Sequence, residues 1–369
     1  MTQKPLSNIL SLVIIIALCC SCVTNNNRSA SLRKKENFDP SWKFSKGDFP
    51  KAIDNDFDDS QWQEIDLPHD WSILDTFSKD YPTGRSGGFA SGGIGWYRKI
   101  FSLPREDRSS KICIEFGGVY ENSEVWINGH YLGKRPFGYI SFNYDLTPFL
   151  NSKGENVLAV RVDNSQQPNA RWYTGSGIYR HVWLVKTSNL HIARHGVYVT
   201  TPTITTDSAL IVVRTIIENE LDESKNFILV NKLYSAENEL LARVESSGNL
   251  SGNDKQEFVQ NLTVLKPALW SPDKPNLYKI KTQINRKDTS IDELETNIGI
   301  RDFSFSPDSG FFLNGESMKF KGVNNHSDLG ALGAALNDRV LERRLEILKE
   351  MGCNAIRTAH NPPSEELLD

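Results

Sequence analysis

Two short runs of polar side chains contain the residue types from which a binding or catalytic site is built. Asn324, Asn325, His326 and Asp328 form the first run, and Arg357, His360 and Asn361 form the second. Imidazole, guanidinium and amide groups are directional hydrogen-bonding groups, and the Asp328 carboxylate is an acceptor. A single loop histidine is explained well enough by helix capping or contact with water. Two such sets at equivalent positions point instead to one shared hollow, provided the elements carrying them run side by side.

The chain pattern supplies such elements. Met318 to Val323 alternates apolar and basic residues, as a short strand does. From Asn337 or Asp338, both good N-caps, Val340, Leu341, Leu345, Leu348 and Met351 recur at helical spacing, and Gly352 stands where a helix ends. Ala355 to Arg357 reads as a second strand, closed by Pro362-Pro363. Strand, helix and strand in this order make a right-handed crossover between parallel strands, so both polar runs leave the sheet on one side. In a (β/α) barrel that side carries the active site.

These segments also carry a family resemblance. Gly-Val-Asn-Asn-His at 322–326, Gly-Ala-Leu-Gly at 330–333 and Asn-Ala-Ile-Arg-Thr-Ala-His-Asn-Pro at 354–362 resemble the start of the catalytic barrel of glycoside hydrolase family 2, which includes β-galactosidases and β-glucuronidases.

Upstream of the barrel, strand signals recur at Trp96 to Phe101, Lys111 to Phe116, Glu124 to Ile127, Val157 to Val162 and Val182 to Val185. Asn128-Gly129 is a type I′ hairpin turn. Residues 38–188 therefore read as a two-sheet jelly roll. Pro68-His69-Asp70-Trp71, Gly95-Trp96-Tyr97-Arg98-Lys99, Val125-Trp126-Ile127-Asn128-Gly129 and the run from Arg171 to Arg180 resemble the family's sugar-binding domain. Arg98, Arg161 and Arg180 read chiefly as arginines that pair at domain contacts. The glycine-rich stretch Gly84 to Gly95 lacks the strand-loop-helix setting of a phosphate cradle and reads as a mobile loop at the barrel mouth. Some family members place a carboxylate just before the Trp-Tyr pair; Arg171 stands there in this chain, which leaves sugar specificity open.

Residues 189–303 read as an immunoglobulin-like sandwich, with strands at Ala209 to Ile217, Phe227 to Tyr234 and Leu262 to Leu265. Its Pro267-to-Tyr278 segment, anchored by Trp270, resembles a packing element of the family's second domain. Residues 304–369 then begin the barrel. The fold class is thus mainly β, two sandwiches followed by the start of a (β/α)8 barrel.

Composition bounds the function. A length of 369 residues predicts two or three domains, and a net charge of -4 argues against a nucleic-acid partner. Eight Trp and eleven Tyr suit stacking on sugars, though β cores use them too. Residues 1–22 read as a signal segment: Lys4, then an apolar run from Ile9 to Leu18 that is shorter than the roughly 20 residues a spanning helix needs. Cys22 after Ser21 resembles a lipidated bacterial lipoprotein cysteine, with Cys19 and Cys20 as alternatives and a plain secretory signal as the other reading. Residues 23–37 then form a tether, and the expected location is the periplasm or outer-membrane surface. Cys113 and Cys353 fall in different predicted domains, so no disulfide framework is expected, and no His/Cys spacing matches a zinc site.

The resemblance implies a retaining β-glycosidase, first of all a β-galactosidase, in which His326, Arg357, His360, Asn361 and Asp328 bind the non-reducing sugar. A β-glucuronidase or β-mannosidase is the alternative within the family, and a lipid-anchored carbohydrate-binding protein without catalysis is the alternative outside it. A full barrel takes ~250 residues, and the two catalytic glutamates are expected beyond Asp369, so no catalytic residue is assigned in this chain. Glu365 and Glu366 belong to the first turn of a helix, where acidic groups favour the dipole. No cofactor is expected; Mg²⁺ or Na⁺, used by some β-galactosidases, has no ligands assignable here. The partners expected are a β-galactoside and, through the anchor, a membrane; homo-oligomerisation stays open.

Overall fold

The computed structural model describes residues 33–287 and 289–369. The expected signal segment, with Cys19, Cys20 and Cys22, and residues 23–32 of the tether lie outside the described residues.

The first unit is a sandwich of two antiparallel sheets. One contains Lys34–Asn37, Val182–Thr187, Lys111–Phe116 and Phe142–Asp145; the other orders Gln63–Ile65, Trp42–Lys46, Gly93–Ser102, Glu155–Asn164, Ser123–Ile127 and His130–Arg135. Alternation produces the core: in Lys111–Phe116 the side chains of Ile112, Ile114 and Phe116 turn inward, while Lys111, Cys113 and Glu115 face the rim. They meet Trp42, Phe44, Trp71, Tyr97, Val125 and Val160, all buried. Asn128 and Gly129 adopt φ of 50° and 79°, as the hairpin turn requires. Burial pushes the Cys113 thiol up to about 12, so it packs as a small inert side chain.

The tether ends sooner than the sequence suggests. Lys34–Asn37 is a strand, pairing antiparallel with Val182–Thr187, and the Arg33 guanidinium holds Asp292 of the second unit at 2.9 Å. Its Lys-Lys-Glu-Asn side chains stay exposed. Backbone pairing and ion pairs, Glu36 with Lys186 and Lys35 with Glu365, hold this strand, and neither leaves a hydrophobic signature to read.

The second unit packs a three-stranded sheet (Leu190–Ile204, Ser208–Asn219, Asp254–Leu265) on a four-stranded one (Leu240–Leu250, Lys225–Tyr234, Tyr278–Arg286, Thr289–Ile298). Asn231 crosses this core, donating to Gln260 at 2.7 Å and accepting from Thr282. The Trp270 backbone pairs with Ile300, and Arg301 lies 4.7 Å over its ring, a packing role.

The chain then forms a small antiparallel sheet, Phe303–Ser306, Gly310–Leu313 and Glu316–Met318. After it, Gly322–Asn324 runs parallel to Ala355–Arg357, with the helix Asp338–Glu350 between them. The strand read at 318–323 is therefore split. Asn354 explains the break: its side chain accepts from the Lys321 N–H at 2.8 Å and donates to the Lys319 carbonyl at 3.0 Å, replacing the ladder there. The helix limits agree with the pattern. Asn337 caps it by accepting from the Val340 N–H, and Gly352 at φ 85° ends it.

Candidate functional site

The parallel register sets Asn324 directly beside Arg357 at the C-terminal ends of the two strands. Arg357 donates Nη1–H to Asn324 Oδ1 at 2.7 Å and Nη2–H to His360 Nδ1 at 3.3 Å. An imidazole that accepts on Nδ1 carries its proton on Nε2, so His360 keeps one N–H donor for a ligand. The His326 ring lies 5.5 Å from that of His360, nearly perpendicular to it. The imidazoles of the two runs thus lie side by side.

The remaining predicted residues sit around this centre. Asn361 lines a neighbouring cavity with Asn325, His326 and Arg344. Asp328 is held by its backbone: Arg344, from the middle of the helix, donates to the carbonyls of both His326 and Asp328. Its carboxylate faces the first unit closely enough to help raise the pKa of Tyr173. Glu365 pairs with Lys35 at 3.2 Å and is committed elsewhere.

Part of the site comes from outside the barrel start, which sequence reasoning missed. Trp172 of the jelly roll places its indole 5.4 Å from the His326 ring and 5.0 Å from the His360 ring. Its Nε1–H donates to the Tyr139 hydroxyl at 3.1 Å. The adjacent Tyr173 donates to the buried carboxylate of Asp70. That carboxylate also accepts from the backbone N–H groups of Ser72 at 3.0 Å, Ser176 at 2.9 Å and Ala334 at 2.8 Å. Burial pushes the Asp70 pKa up, and these donors oppose the rise. Burial first, then the charge and hydrogen bond of Asp70, push the Tyr173 hydroxyl far above its ordinary range, so it stays a donor. Gly175 and Gly333, at φ 68° and 61°, approach Asp70 so closely that a Cβ would stand 2.5 and 2.4 Å from Oδ2. Asp70 and Trp172 lie in two of the stretches that resemble the family, but nothing local in those stretches indicates this contact.

Other cross-links fix the same junction. His181 bonds Asp39 through Nδ1 and Asp338, in the first turn of the helix, through Nε2. Burial alone would lower its pKa, but the two carboxylates more than offset this and bring it to about 9. Arg180 donates to the Pro362 carbonyl at 2.9 Å. Arg98 binds Asp59 and Arg161 binds Asp48 within the jelly roll, so all three arginines serve structural contacts but only Arg180 does so across a domain contact. The loop before Gly93–Ser102 folds beside the Trp172 segment, with Gly87, Ala90 and Ser91 facing Trp172 and Tyr173 across a narrow cleft.

Among the described residues, His191, Glu218 and Glu220 bring donor atoms within 4.8 Å of one another. Lys255 pairs with Glu218 and Lys111 with Glu220, so the ammonium groups already provide the positive charge this cluster calls for.

Comparison with known proteins places these features. The sugar binding domain of glycosyl hydrolases family 2 matches residues 35–188, a further family 2 domain matches residues 190–301, and the family's TIM barrel domain matches residues 307–369. Beta-galactosidase BoGH2A of Bacteroides ovatus is 49% identical over 339 residues, covering 92% of this chain and 40% of that protein. A putative beta-glucuronidase of Formosa agariphila is 41% identical over 351 residues, covering 95% of this chain and 33% of that protein. Among solved structures, a glycosyl hydrolase family 2 member from Bacteroides cellulosilyticus superposes with a TM-score of 0.88 at 42% identity, over 91% of this chain and 44% of that one. The Bacteroides uniformis beta-glucuronidase gives a TM-score of 0.84 at 33% identity, over 91% and 40%. The chain spans two fifths or less of the length of these two curated relatives. With all three of its domains matched in order, this chain belongs to glycosyl hydrolases family 2.

Proposed function

We propose that these residues form the sugar-gripping side of the active site of a retaining β-glycosidase that releases terminal β-D-galactose. The observation that carries this reading is the Asn324–Arg357–His360 chain of hydrogen bonds with His326 against it. Sugar hydroxyls need donors fixed in direction, and Arg357 fixes both neighbours. A retaining mechanism needs two carboxylates about 5 Å apart, which further barrel strands would supply. Arg357 would then hold a neighbouring nucleophilic carboxylate ionised through its positive charge. The 49% identical relative named as a beta-galactosidase supports this choice of sugar.

A second reading, β-glucuronidase, rests on Arg171, an exposed cation next to Trp172 in sequence whose charge suits a uronic carboxylate. The test is hydrolysis of p-nitrophenyl β-D-galactoside and β-D-glucuronide by a protein carrying this chain with a complete barrel. Galactoside turnover is expected; turnover of the glucuronide alone would establish the second reading, and turnover of neither would overturn both.

We also propose export and membrane attachment through lipid on Cys22. Incorporation of labelled palmitate that survives Cys22→Ser would reject that cysteine.

A further inference from the structure

We propose that Trp172, which the jelly roll inserts beside the barrel histidines, is the apolar wall on which the non-reducing sugar lies and is thereby a specificity-determining residue. This inference rests on the reading of the site as a galactoside pocket. The indole is half-buried, and its ring stands about equally far from both imidazoles, 5.4 Å from His326 and 5.0 Å from His360. It lies against both imidazoles, beside the ends of the two barrel strands.

The ring is held in place before any ligand arrives. Its Nε1–H is taken by Tyr139 at 3.1 Å, and Tyr139 packs against Tyr120 and Tyr179. The next residue, Tyr173, is tied to Asp70. A platform fixed at both its ring and its backbone loses little entropy on binding. With the indole nitrogen already bonded, what the ring can offer a ligand is its π surface.

That surface selects among sugars. In β-D-galactose the axial hydroxyl at C4 leaves the C–H groups of C3, C4 and C5 on one face, continuous with the neutral hydroxymethyl group, and such a face suits an indole. A carboxylate in place of the hydroxymethyl group would meet the electron-rich ring and lose water.

The test compares wild type, Trp172→Ala and Trp172→Phe in the protein carrying the complete barrel. Trp172→Ala is expected to lower kcat/KM for p-nitrophenyl β-D-galactoside about tenfold, mainly through KM, the scale of one aromatic contact. Any glucuronide hydrolysis should fall less, and Trp172→Phe should restore most of the galactoside loss. A Trp172→Ala value within twofold of wild type, or an equal fall on both sugars, overturns the proposal. Should the alanine variant not fold, tryptophan emission decides: phenyl 1-thio-β-D-galactoside should quench wild type and not Trp172→Phe, and equal quenching overturns the assignment. Failure of the galactoside reading itself looks different, since wild type would then cleave only the glucuronide, and the selectivity assigned to Trp172 would fall with it.

Discussion

Ala334 donates its backbone N–H to Oδ2 of Asp70 at 2.8 Å, across 264 positions of sequence. One buried carboxylate thus ties the loop that follows His326 to the jelly roll.

Asp70→Asn should therefore loosen this junction. The amide replaces one acceptor oxygen by a donor, which then faces the donors that Asp70 satisfied. The expected loss is about 1–3 kcal/mol, the cost of an unpaired buried polar group, read from the midpoint of urea unfolding. An unchanged midpoint would mean that water replaces these bonds without cost.

The bridge through His181 should depend on pH. Its pKa is raised to about 9 in the fold, above the unfolded value near 6.5. Its contribution is complete below about pH 6.5 and is lost as the pH rises through about 9. Stability measured by chemical denaturation should fall across that window, and His181→Gln should flatten the fall. A wild-type profile identical to the variant's would exclude this histidine as the source.

His69 works in the opposite direction. It is buried with Nδ1 bonded to Tyr97 at 2.8 Å, and burial lowers its pKa to about 4. The unfolded chain takes up the proton first, so this contribution is complete above about pH 6.5 and is lost as the pH falls to about 4. His69→Gln should extend the stable range on the acid side; the same acid midpoint in both proteins would contradict this.

Arg357→Ala, in a protein with the complete barrel, should lower kcat on an aryl β-galactoside by about 10²-fold or more, as when a positioned donor to the transition state is removed. Unchanged kinetics would remove Arg357 from the site.

The 369-residue chain by itself should release no p-nitrophenol from an aryl glycoside. Glu365 is paired with Lys35, and Glu366 lines the cavity beside Lys35 and Arg194, away from Arg357. Turnover above the buffer rate would show that a carboxylate within these residues can act.

What the sequence disclosed and what it withheld divide along physical lines. Turns and caps are local, so Asn128-Gly129, the Asn337 cap and the Gly352 stop could all be read. The meeting of His326 and His360 was legible because one crossover rule fixes both strand ends. Trp172 was not, since its contact with the histidines joins segments more than 150 positions apart and needs two domains already packed together. Arg344 was also hidden: in a charged helix it looks like one more solvated arginine, yet it holds the His326 and Asp328 carbonyls.

The placement of Trp172 bears on how family members can be recombined. A chimera that takes its amino-terminal sandwich from a glucuronidase and its barrel from this protein would inherit a foreign wall beside its own histidines. Substrate preference in such hybrids should follow the donor of the sandwich as well as the donor of the barrel, and exchange points chosen only by domain limits would separate partners that recognise the sugar together.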